Sequence, residues 1–328
     1  MINVGIIGFG KMGKIRAQTV VESGLGRVNN IYDVTPIQDT KYECVSSPED
    51  IFNDNNNNAI FICTPNHMNK ELTIKGLNAG KHIFCEKPPA FNESEVKEII
   101  EVEKLSKKKL MYGFNHRHHD SIKMMKELVD NETYGKILWM RGRYGKSVDR
   151  NFYNNWRANS EKCGGGILLD QGIHMLDLFI YLSDEFDEVK AFVSNLYWKS
   201  DIEDNAFVIL RNNTTGVVAS LHSTMTQWRH LFSLEIFLEQ GYFVLNGLKT
   251  SSGTYGDEIL TIAKNRTEAP RAVWEDEERL TFKINNSWHH EVEHFLNAII
   301  EDKPINIGNS NDAQIIMRTI DNIYKEGK

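Results

Sequence analysis

The sequence lacks any apolar run near the roughly 20 residues that a membrane-spanning helix needs, so no membrane partner is expected. It lacks a basic surplus: 38 Lys and Arg face 45 Asp and Glu, a net charge of −7, which argues against nucleic acid or an anionic membrane as partner. No basic stretch precedes the opening Met-Ile-Asn-Val-Gly-Ile-Ile strand pattern, so no signal peptide is expected. Cysteine is scarce, and Cys44, Cys63, Cys85 and Cys163 show neither metal-ligand nor redox spacing. They read as reduced thiols of a cytoplasmic protein. Internal repeats are absent, and the one low-complexity tract is Asn55 to Asn58. What is present is 328 residues that are 41% hydrophobic, enough for about two domains with a large core.

The first third alternates between short apolar runs (4–7, 28–32, 60–63, 83–85 and 110–114) and helical stretches (11–23, 66–79 and 93–107). Asn92-x-x-Glu95 opens the last of these like a capping box. Such alternation predicts βαβ units and a parallel sheet with helices on both faces. Past residue 118 a helix (120–130) and a strand (137–144) lead to an apolar helix ending at Leu182. Successive strand patterns follow at 188–198, 205–210, 216–225, 231–238, 242–248, 257–262 and 279–284, and two helices close the chain. The expected class is α/β: a dinucleotide-binding domain over 1–118, then an α+β domain over 119–328 with an open, mainly antiparallel sheet.

Gly8-Phe9-Gly10-Lys11-Met12-Gly13 fits G-x-G-x-x-G between a predicted strand and a predicted helix. Gly8 allows the tight turn, Gly10 lets a pyrophosphate approach the backbone, and Gly13 lets helix and strand pack closely. The helix N-terminus offers its free N–H groups to the phosphates. Asp33 ends the second strand, 20 residues past Gly13, where a carboxylate takes the ribose hydroxyls of NAD. Its charge repels the 2′-phosphate of NADP, and Thr35 to Gln38 supply no compensating Arg, so NAD is preferred over NADP. Thr64-Pro65-Asn66 and Glu86-Lys87-Pro88 follow the strands at 60–63 and 83–85, at the sheet edge where open α/β folds bind ligands. Within the apolar helix, Asp170, His174 and Asp177 stand at i, i+4 and i+7 as one polar stripe. By itself the stripe is either a satisfied core network or one wall of an active site.

The ordered set Gly8-x-Gly10-x-x-Gly13, Thr64-Pro65-Asn66, Glu86-Lys87-Pro88, Trp156-Arg157 and Gly164-Gly-Gly-x-x-x-Asp170-x-Gly172-x-His174 resembles the glucose–fructose oxidoreductase / inositol dehydrogenase (Gfo/Idh/MocA) family. The resemblance implies a Rossmann domain followed by a domain whose open sheet often forms an oligomer interface, hence a homodimer or homotetramer. It implies NAD(P)-dependent chemistry on a sugar, cyclitol, sugar acid or nucleotide-linked sugar, with Lys87, Asp170 and His174 catalytic. The family often shows Pro-Asn-x-x-His, where this chain has Asn69; that departure weakens a cofactor role for the turn.

Oxidising a secondary alcohol needs a hydride acceptor, a base for the hydroxyl proton and positive charge near the developing alkoxide. An imidazole, with an ordinary pKa of about 6.5, suits His174 to the base. Asp170 is expected to orient that ring, and Lys87 to bond the substrate oxygen; which of Lys87 and His174 takes the proton stays open. Asn115 and Arg117, past a strand end, are expected near cofactor and substrate, with Trp156 and Arg157 also lining the substrate. His116, His118 and His119 read as a solvated or substrate-facing edge. Arg141, Arg143, Tyr144, Lys146 and Arg150 make the region before the glycine run basic and aromatic, either an ordinary exposed strand or a wall for an anionic substrate. His290-Glu291-Val292-Glu293-His294 matches H-E-x-x-H, but both histidines are placed on the helix face opposite its buried side, and no metal is expected. A catalytically silent NAD- or sugar-sensing regulator is the alternative function.

Overall fold

In the computed structural model, which describes residues 1–38, 40–264 and 273–327, β1 (Ile2–Ile7) buries Val4, Ile6 and Ile7 completely and ends in a glycine turn. There follow α1 (Lys11–Glu22), β2 (Gly26–Tyr32), β3 (Glu43–Cys44), α2 (Pro48–Asn53), β4 (Ala59–Ile62), α3 (Asn69–Asn78), β5 (His82–Cys85), α4 (Glu93–Ser106) and β6 (Leu110–Tyr112). The six strands are all parallel, in the order β3-β2-β1-β4-β5-β6. The order reverses beside β1, which places the ligand crevice of such a sheet at the carboxyl ends of β1 and β4. Asn92 caps α4 by accepting the Glu95 N–H at 2.9 Å, and the Glu95 carboxylate accepts the Phe91 N–H at 2.8 Å.

The chain forms two units, Met1–Asn115 with Ser287–Arg318, and His116–Asn286 with the chain from Thr319 onward. The sequence reading assigns everything beyond 118 to one domain, whereas the Ser287–Ile300 helix belongs to the first unit. Its Phe295 meets Phe61 and Phe84 edge-on, with ring centroids 5.5 and 5.7 Å apart. The spacing of Val292, Phe295 and Leu296 marks a buried face but not the sheet it covers.

The second unit contains α5 (Asp120–Asp130), β7 (Ile137–Ser147), α6 (Ser160–Cys163), α7 (Ile173–Leu182), β8 (Glu188–Ser194), β9 (Asn205–Arg211), β10 (Val218–Thr224), β11 (Thr226–Leu238), β12 (Gly241–Asn246), β13 (Glu258–Lys264) and β14 (Glu278–Phe282). Its sheet runs β14-β13-β12-β11-β7-β10-β9-β8, antiparallel except between β7 and β10. Side-chain alternation along β7 decides which residues can join a site. Met140 and Tyr144 are buried, while Arg141 turns outward and pairs with Glu235 at 2.6 Å. Gly142 shares the inner face with Met140 and Tyr144. A Cβ there would lie 2.4 Å from the Met175 side chain, so α7 packs directly on this face. The opposite face stays open, with Phe192, Phe207 and Ile209 exposed. Among the described residues no helix is long and apolar enough to cross a membrane.

Candidate active site

In the first unit, the turn after β1 is shaped for a dinucleotide. Gly8 has φ +89°, and a Cβ there would also strike the Cys63 carbonyl oxygen at 2.5 Å. At Gly13 a Cβ would lie 2.1 Å from the Gly8 oxygen, so loop and helix are in contact. At Gly10 it would meet nothing within 4 Å, and this is the side from which a pyrophosphate approaches. No side chain caps α1, so its first N–H groups, from Lys11 and Met12 onward, are available to phosphate. Asp33 accepts the Phe9 N–H at 2.6 Å and the Thr35 N–H at 2.8 Å. These bonds fix its carboxylate at the end of β2 and leave each oxygen a further lone pair for a ribose hydroxyl. The residues present fit NAD.

Beyond β4, Thr64 Oγ1 donates to Asn69 Oδ1 at 3.2 Å, Pro65 leads into a short 3₁₀ turn, and Asn66 is buried. Asn69 is wholly buried as well. Its Nδ2 donates to the carbonyls of Glu86 (3.2 Å) and Pro88 (2.8 Å), on either side of half-buried Lys87 in the turn that leaves β5. The amide standing where the family often has histidine thus positions the lysine-bearing turn. Glu86, expected at the cofactor, pairs with the buried guanidinium of Arg16 at 2.7 Å, and Glu291 pairs with the same group at 2.6 Å. Burial disfavours the Arg16 charge, but the two carboxylates outweigh it and hold its pKa above the ordinary value. The glutamate of the H-E-x-x-H match is therefore half of a core ion pair. Asn115 donates from Nδ2 to Ser287 Oγ at 3.1 Å.

In the second unit the apolar helix differs from a plain α-helix. Leu168–Gly172 is a π-turn, and α7 begins only at Ile173. The wider turn breaks the i, i+4, i+7 stripe: Asp170 is half-exposed, whereas His174 and Asp177 are buried at 5% and 0%. The start of this turn is set by Glu203, whose carboxylate accepts the N–H groups of Gly166 at 2.7 Å and Leu168 at 3.0 Å. A Cβ on Gly166 would lie 2.1 Å from the Glu203 backbone oxygen, which explains that glycine by contact with a neighbouring segment. Burial pushes the Glu203 carboxyl up. No local pattern marked Glu203.

His174 lies against His116, ring centroids 3.9 Å apart and planes within 14°. The His116 Nε2 is hydrogen-bonded to the Tyr144 hydroxyl at 3.0 Å, and the tautomer sets which of the two donates. Tyr255 meets Tyr144 edge-on and donates its hydroxyl to Gln171 Oε1 at 3.3 Å. Burial, then Tyr255 and Asp170, hold the Tyr144 phenol protonated. The expectation of a solvated histidine edge is corrected here, because His116, His118 and His119 are 2–4% exposed. His119 bonds the buried Glu258 at 3.0 Å. Arg117, expected at the substrate, clamps Asp177 through Nε and Nη2 at 2.6–3.0 Å and lies 4.9 Å from the centre of the Tyr181 ring. A run of polar residues looks solvated; here Asn115, His116, Arg117 and His119 instead find partners within the protein.

Asp170 was expected to orient His174. Its carboxylate receives Lys146 Nζ at 3.2 Å and Arg157 Nε at 3.4 Å. The Arg157 guanidinium lies 4.3 Å above the Trp156 ring. The basic region read from sequence therefore divides: Arg141 faces outward, while Lys146, Trp156 and Arg157 assemble around Asp170. Lys87 belongs to the first unit, and Asp170 and His174 share the second. Glu203, Gln171 and Tyr255 escaped the sequence reading, and only Gln171, adjacent to Asp170, carried any signal.

Residues 2–114 match a model for an oxidoreductase family with an NAD-binding Rossmann fold, and residues 122–244 match the model of a GFO/IDH/MocA C-terminal domain. The chain is 25% identical over 276 residues to myo-inositol 2-dehydrogenase of Thermotoga maritima, covering 78% of this chain and 79% of that protein. It is 30% identical over 210 residues to levoglucosan dehydrogenase of Pseudarthrobacter phenanthrenivorans, covering 59% and 54%. Its fold is similar to that of a levoglucosan dehydrogenase in complex with NADH and levoglucosan, with a TM-score of 0.87 and 23% identity over 99% of this chain and 97% of that one.

Proposed function

The chain belongs to the GFO/IDH/MocA oxidoreductase family, with an NAD-binding Rossmann fold, and on that footing we propose that it transfers a hydride between NAD and a secondary alcohol or ketone of a sugar, cyclitol, sugar acid or nucleotide-linked sugar. The observation that carries this reading is the imidazole of His174, 5% exposed in an apolar helix and backed by a second imidazole. A fixed, nearly water-free base of this kind suits proton removal from an alcohol. NAD, when bound, supplies the two-electron acceptor.

Lys87, Asp170 and His174 are the proposed catalytic groups. In the oxidative direction the substrate C–H bond breaks with its electron pair, and the hydroxyl proton leaves to a protein base. His174 or Lys87 receives it. The lysine ammonium hydrogen-bonds the oxygen and stabilises its growing negative charge. Asp170, with Lys146 and Arg157 as partners, offers the substrate hydroxyls a charged acceptor. Gly8 to Gly13, Asp33, Thr64 to Asn66 and Asn115 are the proposed cofactor contacts.

NAD reduction screened against sugars, cyclitols, sugar acids and nucleotide sugars tests the reading. With the substrate found, His174→Ala and Lys87→Ala are each expected to lower kcat by at least about two orders of magnitude with NADH binding retained. Near-wild-type turnover in either variant removes that residue from the mechanism, and no turnover with any compound removes the function. Assembly as a homodimer or homotetramer through the open sheet face belongs to the same proposal. It is supported by exposed Phe192, Phe207 and Ile209, and light scattering of Phe207→Glu tests it. A cytoplasmic setting is supported by four free cysteines.

A further inference from the structure

We infer that the substrate is an anion, a sugar carrying a carboxylate or a phosphate, and that Arg157 and Lys146 bind its charged group. The inference rests on the reading of the Asp170 region as substrate-binding. It starts from how arginines are used in this unit. Arg117 grips Asp177 with both Nε and Nη2, at 2.6–3.0 Å. Arg141 uses the same two atoms on Glu235, at 3.1 and 2.6 Å. Arg117 thus spans both oxygens of its carboxylate, and Arg141 sets two of its nitrogens on the single Oε2 of Glu235; in each, one carboxylate engages two nitrogens of the guanidinium.

Arg157 behaves differently. It reaches Asp170 only through Nε, at 3.4 Å, and its two Nη atoms have no hydrogen-bond partner among the described residues. The guanidinium is nonetheless fixed: it lies 4.3 Å above the Trp156 ring, in a short turn capped by Asn155, whose side chain accepts the Arg157 N–H at 3.0 Å. A planar fork is thus held in place with its outer edge open, and its side chain is 37% exposed. Lys146 approaches the other oxygen of the same carboxylate at 3.2 Å. It shares the inner face of β7 with Tyr144, whereas Arg141 lies on the outer face. Two cations therefore converge on one carboxylate, an excess of one positive charge among these three groups. The fork matches two oxygens of a carboxylate or phosphate, and a lysine beside it adds a third donor. Asp170 then serves the neutral hydroxyls of the same molecule while the cations hold its charged end.

The test is calorimetric titration of the full chain saturated with NADH, using matched probes. These are glucose against glucuronate, glucose 6-phosphate and UDP-glucose, galactose against galacturonate, and myo-inositol against its 1-phosphate. At least one anion is expected to bind about tenfold or more tightly than its neutral counterpart, the scale of one charge-assisted hydrogen bond. That preference is expected to weaken as salt rises and to fall by about tenfold in Arg157→Met and in Lys146→Met. Arg157→Lys, which keeps charge but loses the fork, should recover only part of it. Which anion wins separates carboxylate from phosphate monoester and nucleotide diphosphate. Equal binding of neutral and charged partners, no binding by any anion, or a preference indifferent to salt and to both substitutions overturns the inference. NAD reduction is read separately on the same panel. Anion binding without turnover sinks the dehydrogenase reading alone, and turnover of neutral sugars without anion binding sinks this inference alone.

Discussion

His116 and His174 lie face to face, 3.9 Å between ring centres, in a core where each imidazole is at most 5% exposed. The Tyr144 hydroxyl holds the outer ring at 3.0 Å, so one face of the proposed base is fixed by a stack. His116→Ala should lower kcat by about tenfold, the cost of a base that wanders from its productive position, and leave KM for NAD unchanged. His116→Phe, which keeps a ring in the stack, should retain more activity than the alanine variant. Equal turnover in wild type and both variants would show that the stack is packing alone.

Asn69 holds the two carbonyls that flank Lys87. Replacing it by alanine leaves both acceptors without that donor in a buried place, at a cost of about 1–3 kcal/mol. Urea unfolding should register the loss, and kcat should fall with it because the lysine-bearing turn relaxes. Unchanged stability together with unchanged turnover contradicts the positioning role.

Removing Glu291 strips one of two carboxylates from a guanidinium that is 0% exposed. Breaking a buried pair in this way costs about 3–5 kcal/mol, so Glu291→Ala should lower the unfolding midpoint sharply. Glu291→Gln, with a carbonyl oxygen still able to accept, should cost less. If Glu291 served a bound metal instead, both variants would change the metal content of the purified protein more than its stability.

Burial, then the charges of Lys108 and Lys109, lower the pKa of His82 to about 4. The unfolded chain, with an ordinary imidazole near about 6.5, therefore binds a proton more readily than the folded one. Stability from this group is present above about 6.5 and is lost as pH falls toward about 4. His82→Asn should flatten that part of the pH profile, read as thermal midpoint against pH. A slope identical to wild type between those values would exclude His82 as its source.

The parts of the proposed site that the sequence placed are those written at strand ends. Gly8 to Gly13, Asp33 and Lys87 each sit a fixed step beyond an apolar run, and a parallel sheet places such positions at one edge. The α4 cap was legible for the same local reason. What depended on distant partners was not. The π-turn at Leu168–Gly172 is anchored by Glu203, and nothing in either segment names the other. Arg117 looked like a substrate ligand because Asp177 lies 60 residues away. Periodicity ranks the faces of an element by polarity; it does not say which partner each face finds.

The return of the Ser287–Ile300 helix to the first unit sets an order on biosynthesis. Arg16 leaves the ribosome almost at once, but Glu291 follows 275 residues later (291 − 16), along with Phe295, which completes the aromatic cluster on Phe61 and Phe84. Chains of several domains generally fold from the amino end as they emerge. Here the amino-terminal sheet waits, its buried cation paired with Glu86 alone, while residues 116–286 of the second unit are made. A chain cut short before residue 287 has none of the helix that closes that core.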